Sequence, residues 1–164
     1  MTTLEAREGI NQQQPSVRFA TEEDIDAIIE IQRVDGYQHA YNLNPERVRQ
    51  LMDKKQQFYI ASIGDVPLGF ACADFDVRTL LHFLSVSLDA QHRGVSTALL
   101  NKVVEDSKKH GITTLFFVSD VKAHDMRGFL KDHGFKKAGI HKDRFGLNRN
   151  GTIFNLDLLK YKPR

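Results

Sequence analysis

A chain of 164 residues is long enough to bury one full core and too short for two ordinary domains, so a single globular unit is expected. Its 41% apolar and 27% charged residues lie near the average of soluble domains and away from disordered or membrane-spanning classes. With 23 basic against 21 acidic side chains, the net charge of +2 is too balanced for a surface that neutralises many phosphates, so nucleic acid is not an expected partner.

Residues 1–15, "MTTLEAREGINQQQP", are polar and aperiodic, which predicts a mobile extension ahead of a domain spanning 16–164. They lack the apolar core of a signal peptide, and no run approaches the roughly eighteen apolar residues of a membrane span, so no membrane partner is expected. "SVRFA" alternates as a strand does. Thr21 then reads as the N-cap of a helix with acids in its first turn, where the helix dipole favours them, and with Ile25, Ile28, Ile29 and Gln32 on one face. Asn44-Pro45 predicts a second capped helix that buries Val48, Leu51 and Met52. "QFYIASI" and "VPLGFACADFD" read as strands joined by a tight turn at Gly64-Asp65, and "RTLLHFLSVSL" as a third. The lone Cys72 excludes an internal disulfide and a cysteine-based metal cluster; it fits a reducing, cytoplasmic setting and a small buried strand position.

After "DAQHRG", the stretch from Val95 to His110 has helical apolar spacing and stops at Gly111. "ITTLFFVS" is apolar on both faces, as a central strand would be. A helix from Ala123 to His133 ended by Gly134, then strands "FKKAGIHK" and "GTIFNLDLLK", complete the order β α α β β β α β α β β, a mixed α/β or α+β domain. His124, Asp132 and His133 have no metal-ligand spacing and are expected on the helix surface, so no metal is expected.

The turn "QHRGVS", Gln91 to Ser96, connects a strand to a helix, and such a junction aims free backbone N–H groups along the helix axis. Gly94 lets a ligand approach the backbone, Ser96 and Thr97 add hydroxyl donors and Arg93 a charge, so the turn suits an anion such as a pyrophosphate. A single glycine also occurs in turns that bind nothing. A P-loop is ruled out by the absent Gly-Lys-Ser/Thr ending, and a dinucleotide fingerprint by the absence of two of its three glycines.

In this context the chain resembles the GNAT superfamily of acyl-coenzyme A-dependent N-acyltransferases, whose pyrophosphate loop reads Gln/Arg-x-x-Gly-x-Gly/Ala between the fourth strand and third helix. Gln91, Gly94 and Ser96 occupy those positions, Val86 stands at the strand-end valine, and Thr97-Ala98-Leu99-Leu100 is similar to the family's small-Ala-Leu-Leu. Gly134-Phe135 matches as well, and the resemblance covers residues 16 to 160. It implies a mixed sheet of six to seven strands flanked by four helices, acetyl-coenzyme A as the cofactor bound through Leu84, Val86, Gln91, His92, Arg93, Gly94, Val95, Ser96 and Thr97, and a small-molecule or peptide amine as acceptor. Dimers are frequent in the family, so a homodimer is within what the resemblance implies. Two departures stand out. Ser96 replaces a Gly or Ala, and Leu130 stands where many members carry the tyrosine that protonates the departing thiolate; Ala123, Met126 and Phe129 fill the neighbouring family positions.

Direct attack on a thioester requires a neutral amine held in place, a route for its proton and a donor for the oxyanion. In the family the fourth and fifth strands splay, the pantetheine arm pairs with the fourth, and a backbone N–H faces the thioester oxygen; by position these are the amides of Leu84 and Val86. His82 is expected on the same strand face as Leu84 and Val86, because side chains two apart share a face. Its strand "LHFLSV" resembles "LHVLAV" of arylalkylamine N-acetyltransferases, in which a histidine assists deprotonation, and an imidazole suits that work. The bland alternative is a hydrogen-bonded core histidine. Tyr37, His39 and Tyr41 fall on the acceptor-side wall implied by the resemblance, Asp120 just past the fifth strand could orient an amine or be a solvated turn residue, and Lys102 could meet a phosphate or lie on a solvated helix face. Two rivals keep the same residues: a GNAT-like domain that binds acyl-coenzyme A as a sensor without turnover, and an interaction module in which Gly94 merely makes the turn.

Overall fold

The computed structural model describes residues 13–34, 43–120 and 124–164, the side chains of 124 and 125 excepted. Residues 1–12 of the expected extension, together with Tyr37, His39, Tyr41 and Ala123, lie outside the described residues. In chain order the described elements are β1 (Ser16–Phe19), α1 (Ile25–Arg33), α2 (Pro45–Asp53), β2 (Gln57–Ile63), β3 (Val66–Phe75), β4 (Thr79–Val86), α3 (Val95–Lys109), β5 (Thr114–Asp120), α4 (His124–Asp132), β6 (Lys136–His141) and β7 (Gly151–Asp157). This is the order expected from periodicity. The strands form one seven-stranded sheet in the order β1-β2-β3-β4-β5-β7-β6, in which only the β4–β5 pair is parallel.

Local signals account for most boundaries. Asn44 Oδ1 accepts from the Arg47 N–H at 2.8 Å and seals the start of α2, with Pro45 at its first position. Gly64 takes a φ of +59° in the two-residue turn between Ile63 and Val66, which pair across it. The start of α1 differs from expectation, because Glu22–Asp24 form a separate 3-10 turn. Asp24 there accepts from the Thr21 N–H and from both terminal nitrogens of Arg18 at 2.7 Å, which holds its carboxyl below the usual range. On α1 the buried set is Ile25, Ile28, Ile31 and Gln32, so Ile31 takes the place expected for Ile29, which is half-buried.

Two apolar clusters lie on opposite faces of the sheet. Ile25, Ile28, Ile31, Val48 and Leu51 of α1 and α2 pack with Phe58, Ile60, Phe70 and Cys72 on one face. Val95, Leu99, Leu100, Val103 and Val104 of α3 pack with Ala61, Ala71, Leu81, Leu84 and Leu115 on the other. Burial pushes the Cys72 thiol up, which keeps it an apolar core group.

Gly69 of β3 sets how closely α3 approaches. A Cβ at this position would lie 2.7 Å from Val95 Cγ1 and 3.1 Å from Leu99 Cδ1, so only hydrogen leaves room for the first turns of α3 to seat on the sheet. Farther along, Tyr59 donates to Asp106 Oδ2 at 2.7 Å and Thr79 pairs with Ser107 at 2.6 Å, which pins the second half of α3. Gly69→Ala should therefore destabilise the protein by roughly 1–3 kcal/mol through overpacking, displacing the start of α3 more than its end. A denaturant titration together with amide exchange over residues 95–99 checks this, and unchanged protection there would count against it.

Candidate active site

The sheet opens beside β4. Its pairing with β5 covers only Thr79–Leu115, Leu80–Phe116 and Leu81–Phe117; beyond Leu81 the two strands separate, while β5 continues paired with β7 as far as Asp120 and Gly151. Ser87 donates to the Leu68 carbonyl of β3 at 2.8 Å. Because N–H directions alternate along a strand, the amides of Ser85 and Phe83 also turn toward β3, and those of Leu84 and Val86 turn to the side that β5 has left. A row of backbone donors and acceptors thus faces the opening.

At the end of β4 the chain passes through a short 3-10 turn, Leu88–Ala90, into the "QHRGVS" turn. Two residues there adopt left-handed backbone, His92 with φ +66° and Gly94 with φ +81°. The glycine carries this conformation without strain, and a Cβ on it would meet nothing within 4 Å. The first intrahelical bond of α3 runs from Ala98 N–H to the Gly94 carbonyl, which leaves the amides of Val95, Ser96 and Thr97 directed out of the helix end. Unlike the start of α2, this end has no side-chain cap, and its first turn holds no acid. Gln91, His92, Arg93 and Gly94 are exposed and Ser96 is half-buried, whereas Val95 is buried and anchors the turn. An uncapped, acid-free helix end under an open glycine fits a diphosphate.

Other candidate residues have partners within the protein. The Thr97 hydroxyl, expected to serve a phosphate, lies 3.0 Å from His133 Nε2. His133 itself is 8% exposed and follows α4 into the interior, so it is not a helix-surface residue. Lys102 lies 3.4 Å from Asp106 on its own helix and 5.7 Å from the Phe19 ring centroid, an arrangement that explains it without a phosphate. Asp120 is the last residue of β5, not a solvated turn residue: its side chain is 1% exposed, with Oδ2 2.6 Å from an Arg149 guanidinium nitrogen. Leu130 is fully buried in the α3-side cluster.

His82 stands where β4 bulges. Phe83 pairs with Cys72 and Leu81 with the adjacent Ala73, so His82 is the extra residue on this strand. Leu81 and Leu84 both face the α3-side cluster although they are three apart, while Phe83 packs on the other cluster. Strict alternation therefore fails at this point, and the spacing argument that grouped His82 with Leu84 and Val86 does not hold through the bulge. The ring is half-buried, and its Nε2 is buried without a hydrogen-bond partner among the described residues. Burial lowers the imidazole below its ordinary 6.5 and Arg144 adds to this, against the opposing charge of Asp74. The lowered pKa favours the neutral ring, whose Nε2 has no partner among the described residues.

The segment between β6 and β7 closes over the end of β5. Phe145 and Arg144 crowd the Cα of Gly151, together with Val118, so a Cβ at 151 has no room. Sequence reasoning missed Gly69, Gly151, Arg149 and the left-handed His92; only the glycines carried any signal, as isolated glycines at strand positions.

Comparison with known proteins defines the class. Residues 23–135 match the model of the acetyltransferase (GNAT) family, and the chain belongs to that family. More particularly, it is 25% identical over 142 residues to a protein of Methanocaldococcus jannaschii named as an uncharacterized N-acetyltransferase, covering 77% of this chain and 63% of that one. The fold is shared with Ard1 from Thermoplasma volcanium, at TM-score 0.78 and 12% identity over 87% of this chain and 97% of the other. It is shared also with yncA of Salmonella typhimurium, a structure with its cofactor acetyl-CoA, at TM-score 0.71 and 17% identity over 92% and 98% of the two chains. Among the described residues no helix is long and apolar enough to cross a membrane, and no group of three or more His, Cys, Asp or Glu is placed to hold a metal ion.

Proposed function

We propose that the protein transfers an acetyl or other short acyl group from coenzyme A to a primary amine of a small molecule or peptide, by direct attack in a ternary complex. The observation that carries this reading is the withdrawal of β5 after Leu81, next to the uncapped start of α3: one end takes a diphosphate, and the exposed edge of β4 takes an amide-bearing arm. In this reading the amides of Val95, Ser96 and Thr97, with Gln91, His92 and Arg93 around Gly94, hold the diphosphate, and Leu84 and Val86 align the arm. Bound acetyl-CoA supplies an activated acyl group that a neutral amine can attack without a covalent enzyme intermediate. A backbone N–H of β4, that of Leu84 by position, donates to the carbonyl oxygen as it gains charge. His82 would accept the amine proton at Nε2, for which a neutral ring suits it, while the new C–N bond replaces the thioester C–S bond and coenzyme A leaves as a thiolate that takes its proton from solvent.

A second reading, an acyl-CoA-binding sensor, is favoured by Leu130, whose buried side chain occupies the place of the family's tyrosine. Thiol release from acetyl-CoA across a panel of amines separates the two. The enzyme reading expects release well above the rate without protein for at least one amine, and binding of the coenzyme with no such amine sinks it. Tyr37 and Tyr41 remain proposed acceptor contacts, and so does Asp120, acting with Arg149. A homodimer and a reducing cytoplasmic setting complete the proposal, the latter supported by the single buried Cys72.

A further inference from the structure

His133 has both ring nitrogens engaged. Nδ1 lies 2.8 Å from the carbonyl oxygen of Phe129, which can only accept, so Nδ1 carries a proton. Nε2 lies 3.0 Å from Thr97 Oγ1 in the first turn of α3, and the Phe129 ring, centred 4.0 Å from the imidazole, holds it in place. In a neutral ring Nε2 offers only a lone pair, so Thr97 must give its one hydroxyl hydrogen to His133. The hydroxyl then presents only lone pairs to the space before the helix end, and an anion arriving there meets acceptor against acceptor. In the imidazolium form both nitrogens donate; Thr97 accepts from Nε2, and its own hydrogen is free for a phosphate oxygen.

We propose that His133 is a positioning residue of the coenzyme site: a diphosphate bound at the start of α3 draws one proton from solvent onto Nε2 of His133 and reverses its hydrogen bond with Thr97. This rests on the coenzyme A reading above and goes beyond it by making binding proton-linked. A cavity of about 560 Å³ beside His133 is lined by Asp132 of α4, Lys136 of β6, Asp157 of β7, and Lys160, Lys162 and Arg164 of the C-terminal tail. Cations outnumber carboxylates there, and α3 adds only hydroxyls and the positive end of its dipole, with Arg93 just before it. These cations and the helix end attract a diphosphate, whose negative charge favours the doubly donating ring.

The test uses the full chain with ¹³Cε1-labelled histidine, titrated with coenzyme A near pH 7.5, with the His133 signal assigned by its loss in His133→Gln. The expected result is a shift of that signal toward the imidazolium position on saturation, and binding heats that differ between two buffers of different ionisation heat in the sense of proton uptake. Thr97→Val, which keeps the ring and nearly the same volume, should weaken coenzyme A roughly tenfold and abolish the shift. A His133 signal that stays neutral with coenzyme A bound overturns the proposal and leaves the acetyltransferase reading intact. The absence of any coenzyme A binding overturns that reading and takes this proposal with it.

Discussion

Gly94→Glu is expected to weaken coenzyme A binding by on the order of a hundredfold, because it sets a carboxylate where the helix end would receive a diphosphate. The structure also says why the fold should survive. Among the described residues nothing lies within 4 Å of a Cβ placed on Gly94, so the backbone cost is that of a left-handed non-glycine residue, about 1–2 kcal/mol. Calorimetry of the variant with coenzyme A provides the measurement. Gly94→Ala is the matching control: it pays the same backbone strain without the charge and should bind far better than the glutamate variant. Equal affinity of the two, near that of the unaltered protein, would remove this turn from the binding site.

The second large effect is expected at His82. Replacing it with Gln should lower kcat by roughly a hundredfold or more, the usual contribution of a positioned base, with little change in coenzyme A affinity, since the ring lies on the bulge of β4 away from the α3 end. The direction of its pKa supplies a further check. Burial lowers the imidazole pKa and the basic form is the active one, so the acid limb of kcat/KM due to His82 is expected below the ordinary imidazole range and should disappear in the variant. The same depression has a stability sign. The unfolded chain binds the proton more readily than the folded one, so this group's contribution to stability is present above the unfolded value and is lost as pH falls from there through the lower folded value. A full-rate His82→Gln protein would remove this residue from the mechanism.

Much of the fold and part of the site were legible in the chain itself. The alternation of "SVRFA", the Asn44-Pro45 cap, the Gly64-Asp65 turn and the stop at Gly111 are each decided within a few residues, so the order of the elements follows from local physics. Gly94 was legible for the same reason, since a strand-to-helix junction with a bare residue reads as a turn open to an anion. His82 shows where such reasoning stops. Counting by twos grouped it with Leu84 and Val86, and only the register of β4 against Cys72 and Ala73 shows that the strand carries an extra residue there.

What the amino-acid sequence determined by itself, then, was the succession of strands and helices and the glycine turn at the start of α3, because hydrogen bonding, capping and apolar period act between near neighbours. Only the tertiary structure decided that Gly69 makes room for Val95, that Asp120 is held by Arg149, and that Thr97 is bonded to His133. These pairs lie far apart along the chain, and the approach of two such groups depends on how the sheet and its two helical layers pack. That packing is a property of the whole core, not of any short stretch.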